Sequence, residues 1–369
     1  MKASRLALLL PGGVALLAGL NGALLLLDVP APVGADRLAD RHGVVMVLGF
    51  LGTVIALERA VALRERWGFL APGLLGAGGL ALVSPLPAPL GLLLLVDGAL
   101  VLAAVYAVLH RRTRDPGILV QLLGAVLAAC AAGLLLIVDT AAVVPWLVGF
   151  IVLTIAAECV ELARLGMPRG AAETLFAFAG ALTFAAVLAL TVPALGSRAF
   201  GLVLLLLALW LARADVARRT IRVAGLPRLS AAAMLMGYAW LTAAALTWLV
   251  LGSPSSIPMY DTVIHGVFLG FAISMVIAHV AVILPAVLGI SLPYHPAMWV
   301  PLAVLHLGLV VRIGLGNAAG IPGAMTIGSV ITVAALLLLV LTIVSLGVRG
   351  SRRSAVPSSR KRTHDHARA

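Results

Sequence analysis

Twelve apolar runs, most of them about 20 residues long, leave this chain few places to fold other than a lipid bilayer. They cover roughly 5–27, 42–63, 68–84, 88–110, 117–138, 142–163, 172–192, 194–212, 230–251, 258–287, 297–316 and 322–347. At 1.5 Å per residue, a helix of that length crosses a hydrocarbon core about 30 Å thick. Backbone groups in lipid have no water to bond, so each run must satisfy its own as a helix. Several connections are only a few residues long, which makes neighbouring helices antiparallel. The 38 glycines suit close helix packing in a bilayer. The expected fold is therefore all-α, a polytopic membrane bundle of about twelve transmembrane helices over residues 1–348. A soluble domain of this size would not be 62% hydrophobic and 11% charged, with a mean hydropathy of +1.15.

The net charge of +12 does not point to nucleic acid, because the basic residues sit in short loops and a tail. With the N-terminus inside, 22 of the 26 lysines and arginines fall on the inner side. Only Arg37, Arg41, Arg198 and Arg312 fall outside. That asymmetry predicts a multi-pass protein of the cytoplasmic (inner) membrane with both termini cytoplasmic. The basic start of the chain lacks a small-x-small cleavage site and reads as a retained first span. Residues 349–369 hold too little apolar surface to fold and read as a disordered basic tail near lipid headgroups. His364 and His366 in that tail read as solvated. The two cysteines, Cys130 and Cys159, lie inside apolar runs, so neither a disulfide framework nor a thiolate zinc site is expected.

Ionisable residues at membrane depth are expensive and mark candidate sites. The tenth run holds Asp261, His265 and His279. The two histidines lie about 21 Å apart along a helix, too far to share one metal ion. His42, at the outer end of the second run, is at the same membrane face as His265. Neutral imidazoles from two helices suit haem iron. The competing reading is that both cap helix ends or bond a neighbouring carbonyl. Gly43, Gly49, Gly52, Gly266 and Gly270 would let a flat macrocycle approach the backbone. Arg312, near the outer end of the eleventh run, suits haem propionates, as do Arg37 and Arg41 beside His42; snorkelling to headgroups is the alternative. His306, near mid-membrane, would ligate a second metal or haem, or bond a helix carbonyl. Pro285 is expected to loosen the inner end of the tenth helix.

Among the acids, Asp97 lies mid-membrane in the fourth run. Glu58 precedes Arg59 and forms an inner-interface pair with it. Glu158 and Glu161 share a helix face three residues apart. Two readings stand for Glu58, Asp97 and Glu158: a proton path from the cytoplasm, or packing against arginines.

The segment DTVIHGVFLGFAISM resembles the tenth-span pattern of the haem-copper oxidase and nitric oxide reductase catalytic subunits, in which Asp-Thr precedes a His pair and Ser-Met follows. That resemblance implies His42 and His265 as axial ligands of a low-spin haem b, with Arg312 in the propionate-binding region. Val267 stands where the second histidine of that pair belongs, and the sixth and seventh spans contain no histidine. A binuclear oxygen-reducing centre is therefore not implied. HGVVMVLGFLGTVIA is similar to the His-rich span of the NnrS family, twelve-span haem- and copper-containing proteins linked to nitric oxide stress. The stretch from His265 through His279 to Gly289 is similar to its later His-bearing helix. The doubled histidine of that family's first motif is His42 alone here, so the ligand set does not support copper. The resemblance implies a haem-binding membrane protein in respiratory electron transfer or nitric oxide handling, with a redox protein or a small gas such as NO as partner besides lipid. The alternatives are a proton-coupled secondary transporter using the intramembrane carboxylates, and a structural or assembly subunit. No internal six-plus-six repeat supports the transporter.

Overall fold

The computed structural model describes residues 2–164 and 166–354 of the chain. Among these residues every regular element is helical. Twelve helices are long and apolar enough to cross a membrane. They are Arg5–Leu25, Asp36–Leu63, Arg66–Val83, Ala88–Thr113, Pro116–Leu134, Thr140–Leu162, Ala171–Thr191, Pro193–Ala214, Leu226–Leu251, Ile257–Leu288, Pro296–Ala318 and Ala324–Gly350. The polytopic helical bundle expected from hydropathy is thus the observed architecture. Large apolar side chains such as Leu93, Phe184, Leu209 and Leu341 face outward. A surface of this kind is at home against lipid tails and not in water.

Helix ends follow local chemistry. Asp115 accepts a hydrogen bond from the Gly117 N–H and caps the fifth span. Ser256 does the same for the tenth through Met259. That tenth helix does not loosen at Pro285. It runs three residues further and closes at Gly289, whose φ of 65° provides a left-handed C-terminal stop. Arg5 of the first span donates to the Val287 carbonyl at the same helix end (2.8 Å).

The last helix runs from Ala324 to Ser354, so it carries past the expected boundary at 348 into the basic segment. The expected disordered tail, with His364 and His366, otherwise lies outside the described residues. Burial ranks the spans. Of the sixth span's most apolar stretch 89% is enclosed, against 28% of the seventh. The sixth span is therefore the central post of the bundle. The tenth packs beside it through residues 266–273.

Candidate functional site

The second helix begins at Asp36, six residues before the expected start. His42 is consequently not at the helix end but about 9 Å inside it; His265 is about 12 Å into the tenth helix. The boundary was missed because Asp36, Arg37, Asp40 and Arg41 are polar, although they continue the helix. The correction brings the two imidazoles to similar depth.

Small residues on the first span place His42. A Cβ on Gly22 would lie 2.2 Å from the Leu38 carbonyl oxygen, and one on Gly19 would strike the Met46 side chain. With neither present, the second helix closes on the first, and His42 Nδ1 meets the Gly19 carbonyl oxygen at 2.7 Å. Asn21 holds the intervening loop from both sides: its amide donates to the Val33 carbonyl (2.7 Å) and its oxygen accepts the Val33 N–H (3.0 Å).

His265 is placed from its own helix and from the eleventh. Its Nδ1 lies 3.0 Å from both the backbone oxygen and the Oδ1 of Asp261, one turn earlier. Asp261 is buried and paired with the buried Arg312, whose Nε lies 3.1 and 3.0 Å from its two carboxylate oxygens. The Asn317 amide donates to Asp261 Oδ2 (2.7 Å) and to Thr262 Oγ1 (3.1 Å). One anion is thus matched by one cation and further donors, the condition under which a buried pair is tolerated. The expected role of Arg312 changes accordingly. Its guanidinium is committed to Asp261 and acts on His265 through it, instead of being presented to a propionate. Asn317 was missed. Its signal was a lone amide in RIGLGNAAG, five residues after Arg312.

A carbonyl oxygen can only accept, so Nδ1 carries the proton in both histidines, and the neutral ring keeps its lone pair on Nε2. Among the described residues neither Nε2 has a hydrogen-bond partner. His42 lies in the electrostatic neighbourhood of His265 and Arg312. Yet residues 36–44 pack on the first and third spans, and 257–265 on the ninth and eleventh. The two histidines therefore sit on separate helix pairs rather than across a packed seam.

Three segments around this region are π-helical: Val45–Gly52, Gly266–Ile273 and Val310–Ala318. The π-helix is rare and concentrates at functional sites. Here one follows His42, one follows His265 directly, and one contains Arg312 and Asn317. Two of these turns are closed by hydroxyls: Thr53 Oγ1 donates to the Gly49 carbonyl and Ser274 Oγ to the Gly270 carbonyl, each at 2.6 Å. Of the glycines expected to admit a macrocycle, four serve helix contacts instead. A Cβ on Gly270 would sit 2.4 Å from that of Trp240. Gly266 abuts Ala244, Gly49 abuts Gly79, and Gly52 abuts Leu75. Gly43, next to His42, faces open space.

The remaining candidates are dispersed. Both nitrogens of the buried His306 are engaged: Trp240 Nε1 donates to Nδ1 at 2.8 Å, and Nε2 lies 3.2 Å from Ser274 Oγ. Because the Ser274 hydroxyl proton goes to Gly270, His306 Nε2–H is the donor to Ser274. No lone pair is left for a second metal or haem, and the expected ligand role of His306 gives way to a structural one. Arg37 donates to the Val83 carbonyl (2.9 Å). His279 Nδ1 donates to the Met275 carbonyl (2.9 Å) and keeps company with Asp215 and Glu58 at the far end of the bundle. There Glu58 and Glu158 meet around Arg59, whereas Asp97 is exposed on the outer face of the fourth span. Asp97 stands nine residues from the inward-facing Tyr106, hence on the opposite side of its helix, and so does not join the other two in a path.

No protein of curated function and no solved structure matches the chain. A family described as a domain of unknown function, DUF8744, matches residues 5–348. Because that match takes in nearly all twelve spans, the chain belongs to the DUF8744 family.

Proposed function

We propose that this is a haem-binding integral membrane protein in which His42 and His265 ligate one b-type haem, serving respiratory electron transfer or nitric oxide handling. The observation that carries the reading is the matched state of the two imidazoles. Each is anchored through Nδ1, each keeps an unpartnered Nε2 among the described residues, and they lie on separate helices within electrostatic reach of one another. Ligating histidines almost always donate their other nitrogen to a carbonyl or carboxylate, which fixes ring orientation and raises basicity. Among the described residues His279 shares the backbone anchor, but its electrostatic neighbours are Asp215 and Glu58 and not a second imidazole. The similarity of HGVVMVLGFLGTVIA and DTVIHGVFLGFAISM to haem-bearing families supports the same pair. The lysine and arginine distribution supports putting this end of the bundle at the outer face of the cytoplasmic membrane.

A bound haem would supply one-electron chemistry. The protein's part is to hold both rings, exclude water and fix their tautomers. Arg312 and Asn317 hold Asp261, and Asp261 holds His265. Arg41, adjacent to His42 and without a hydrogen-bond partner among the described residues, is the cation left for propionates. Ligation by two histidines would leave no site for a gas, which favours electron transfer over gas binding. An optical spectrum of the purified full chain, with haem supplied during expression, tests this. The expected result is a Soret band that shifts on reduction and is lost in His42→Ala and in His265→Ala. A chain that folds but takes up no haem sinks the reading.

A further inference from the structure

At the end of the bundle away from His42 and His265, three carboxylates share one guanidinium. Arg59 Nη2 contacts Glu58 Oε1 and lies 3.3 Å from Glu158 Oε1, while Nη1 lies 3.5 Å from Glu161 Oε2. Glu58 and Glu158 are mostly buried and converge on the same nitrogen; Glu161 is 53% exposed. Like charges this close in a poorly polarisable medium do not both ionise. Near them is Tyr106, fully buried and, among the described residues, with no hydrogen-bond partner for its hydroxyl. That hydroxyl lies in the field of Arg59 and all three glutamates. A buried orphan of this sort requires a partner such as water or an exchangeable proton. Glu161 also lines a surface cavity of about 280 Å³ with Asp115, Arg164, Arg169 and Glu173.

We propose that Glu58 and Glu158 hold a single exchangeable proton between them, reached from water through the cavity at Glu161. Protonation forms one O–H bond on a glutamate oxygen and releases the proton's carrier water; no electrons move. Arg59 cancels one of the remaining charges and keeps the two carboxyl groups together. Tyr106 faces the pair from the fourth span, Glu158 and Glu161 from the sixth, and His279 from the tenth. The proposal does not depend on haem, so either can fail alone.

Infrared difference spectroscopy of the full chain in lipid nanodiscs, titrated from about pH 5 to about pH 9, reads the proton directly. The expected result is one titrating carboxylic-acid C=O band, lost in Glu58→Gln and in Glu158→Gln and retained in Asp97→Asn. Tyr106→Phe removes one oxygen and tests the site should a glutamine variant misfold. Loss of that buried hydroxyl is expected to move the band's midpoint. Absence of a titrating band, its persistence in both glutamine variants, an unmoved midpoint in Tyr106→Phe, or displacement of the band by sodium at constant pH would each overturn the proposal.

Discussion

The two buried charge clusters of this bundle differ in their arithmetic. Around Asp261, one carboxylate meets one guanidinium, an amide and an imidazole, and both carboxylate oxygens are served, with the Asn317 amide oxygen left over. Around Arg59, three carboxylates meet one guanidinium, and a tyrosine hydroxyl is left over. The first arrangement balances its charges and holds a histidine still. The second has charge to spare and room for a proton. Depth in a membrane does not by itself say which role a charged residue plays; the count of its partners does.

The comparison breaks most readily at its charges. Asp261→Asn keeps the shape but strands Arg312, and is expected to remove about 3–5 kcal/mol of stability, read as a large drop in thermal midpoint in detergent. Glu58→Gln leaves Arg59 with Glu158 and Glu161, so a loss below about 1 kcal/mol is expected. Equal losses in the two variants would erase the distinction between the clusters.

Packing provides the next contrast. Gly270→Ala drives a methyl into Trp240 and is expected to destabilise by about 1–3 kcal/mol, whereas Gly43→Ala enters open space and should stay within about 0.5 kcal/mol. Trp240→Phe removes the donor to His306 Nδ1. A loss of about 1–2 kcal/mol is expected by the same unfolding assay, with haem content unchanged if His306 is purely structural.

The smallest expected effect is on pH dependence. Asp215 lies in the loop after the eighth span, where burial pushes its carboxyl above the ordinary range despite hydrogen bonds from the Ala217 N–H (2.8 Å) and Tyr238 hydroxyl (2.7 Å). The folded chain then keeps that proton to higher pH than the unfolded chain. This contribution is therefore present at low pH and is lost as pH rises from the usual carboxylate value through the raised one. Stability measured across that window should fall with pH in the parent and flatten in Asp215→Asn.

Much of the architecture was readable from hydropathy, because every apolar run long enough to span formed a spanning helix. The acidic pairing of Glu58 with Arg59, and the shared face of Glu158 and Glu161, were also readable from spacing. The polar start of the second helix was not, since the apolar run begins only at residue 42 while the helix starts at Asp36. Nor were the π-helical turns, which carry no compositional mark and arise where neighbouring helices demand an extra residue per turn. The glycines were misread for a related reason. A missing side chain says that something approaches closely, but not whether it is a cofactor or, as at Gly270, another helix.

The amino-acid order alone determined how many times the chain crosses its membrane, because the need to bury apolar residues and satisfy the backbone acts locally within each run. Which distant polar groups meet was decided only by the tertiary packing. Arg312 turned out to belong to Asp261, 51 residues away, and His306 to Trp240, 66 residues away. Partnerships at such separations depend on how helices rotate and lean on one another, and hydrogen bonds a few ångströms long leave no imprint on local sequence pattern.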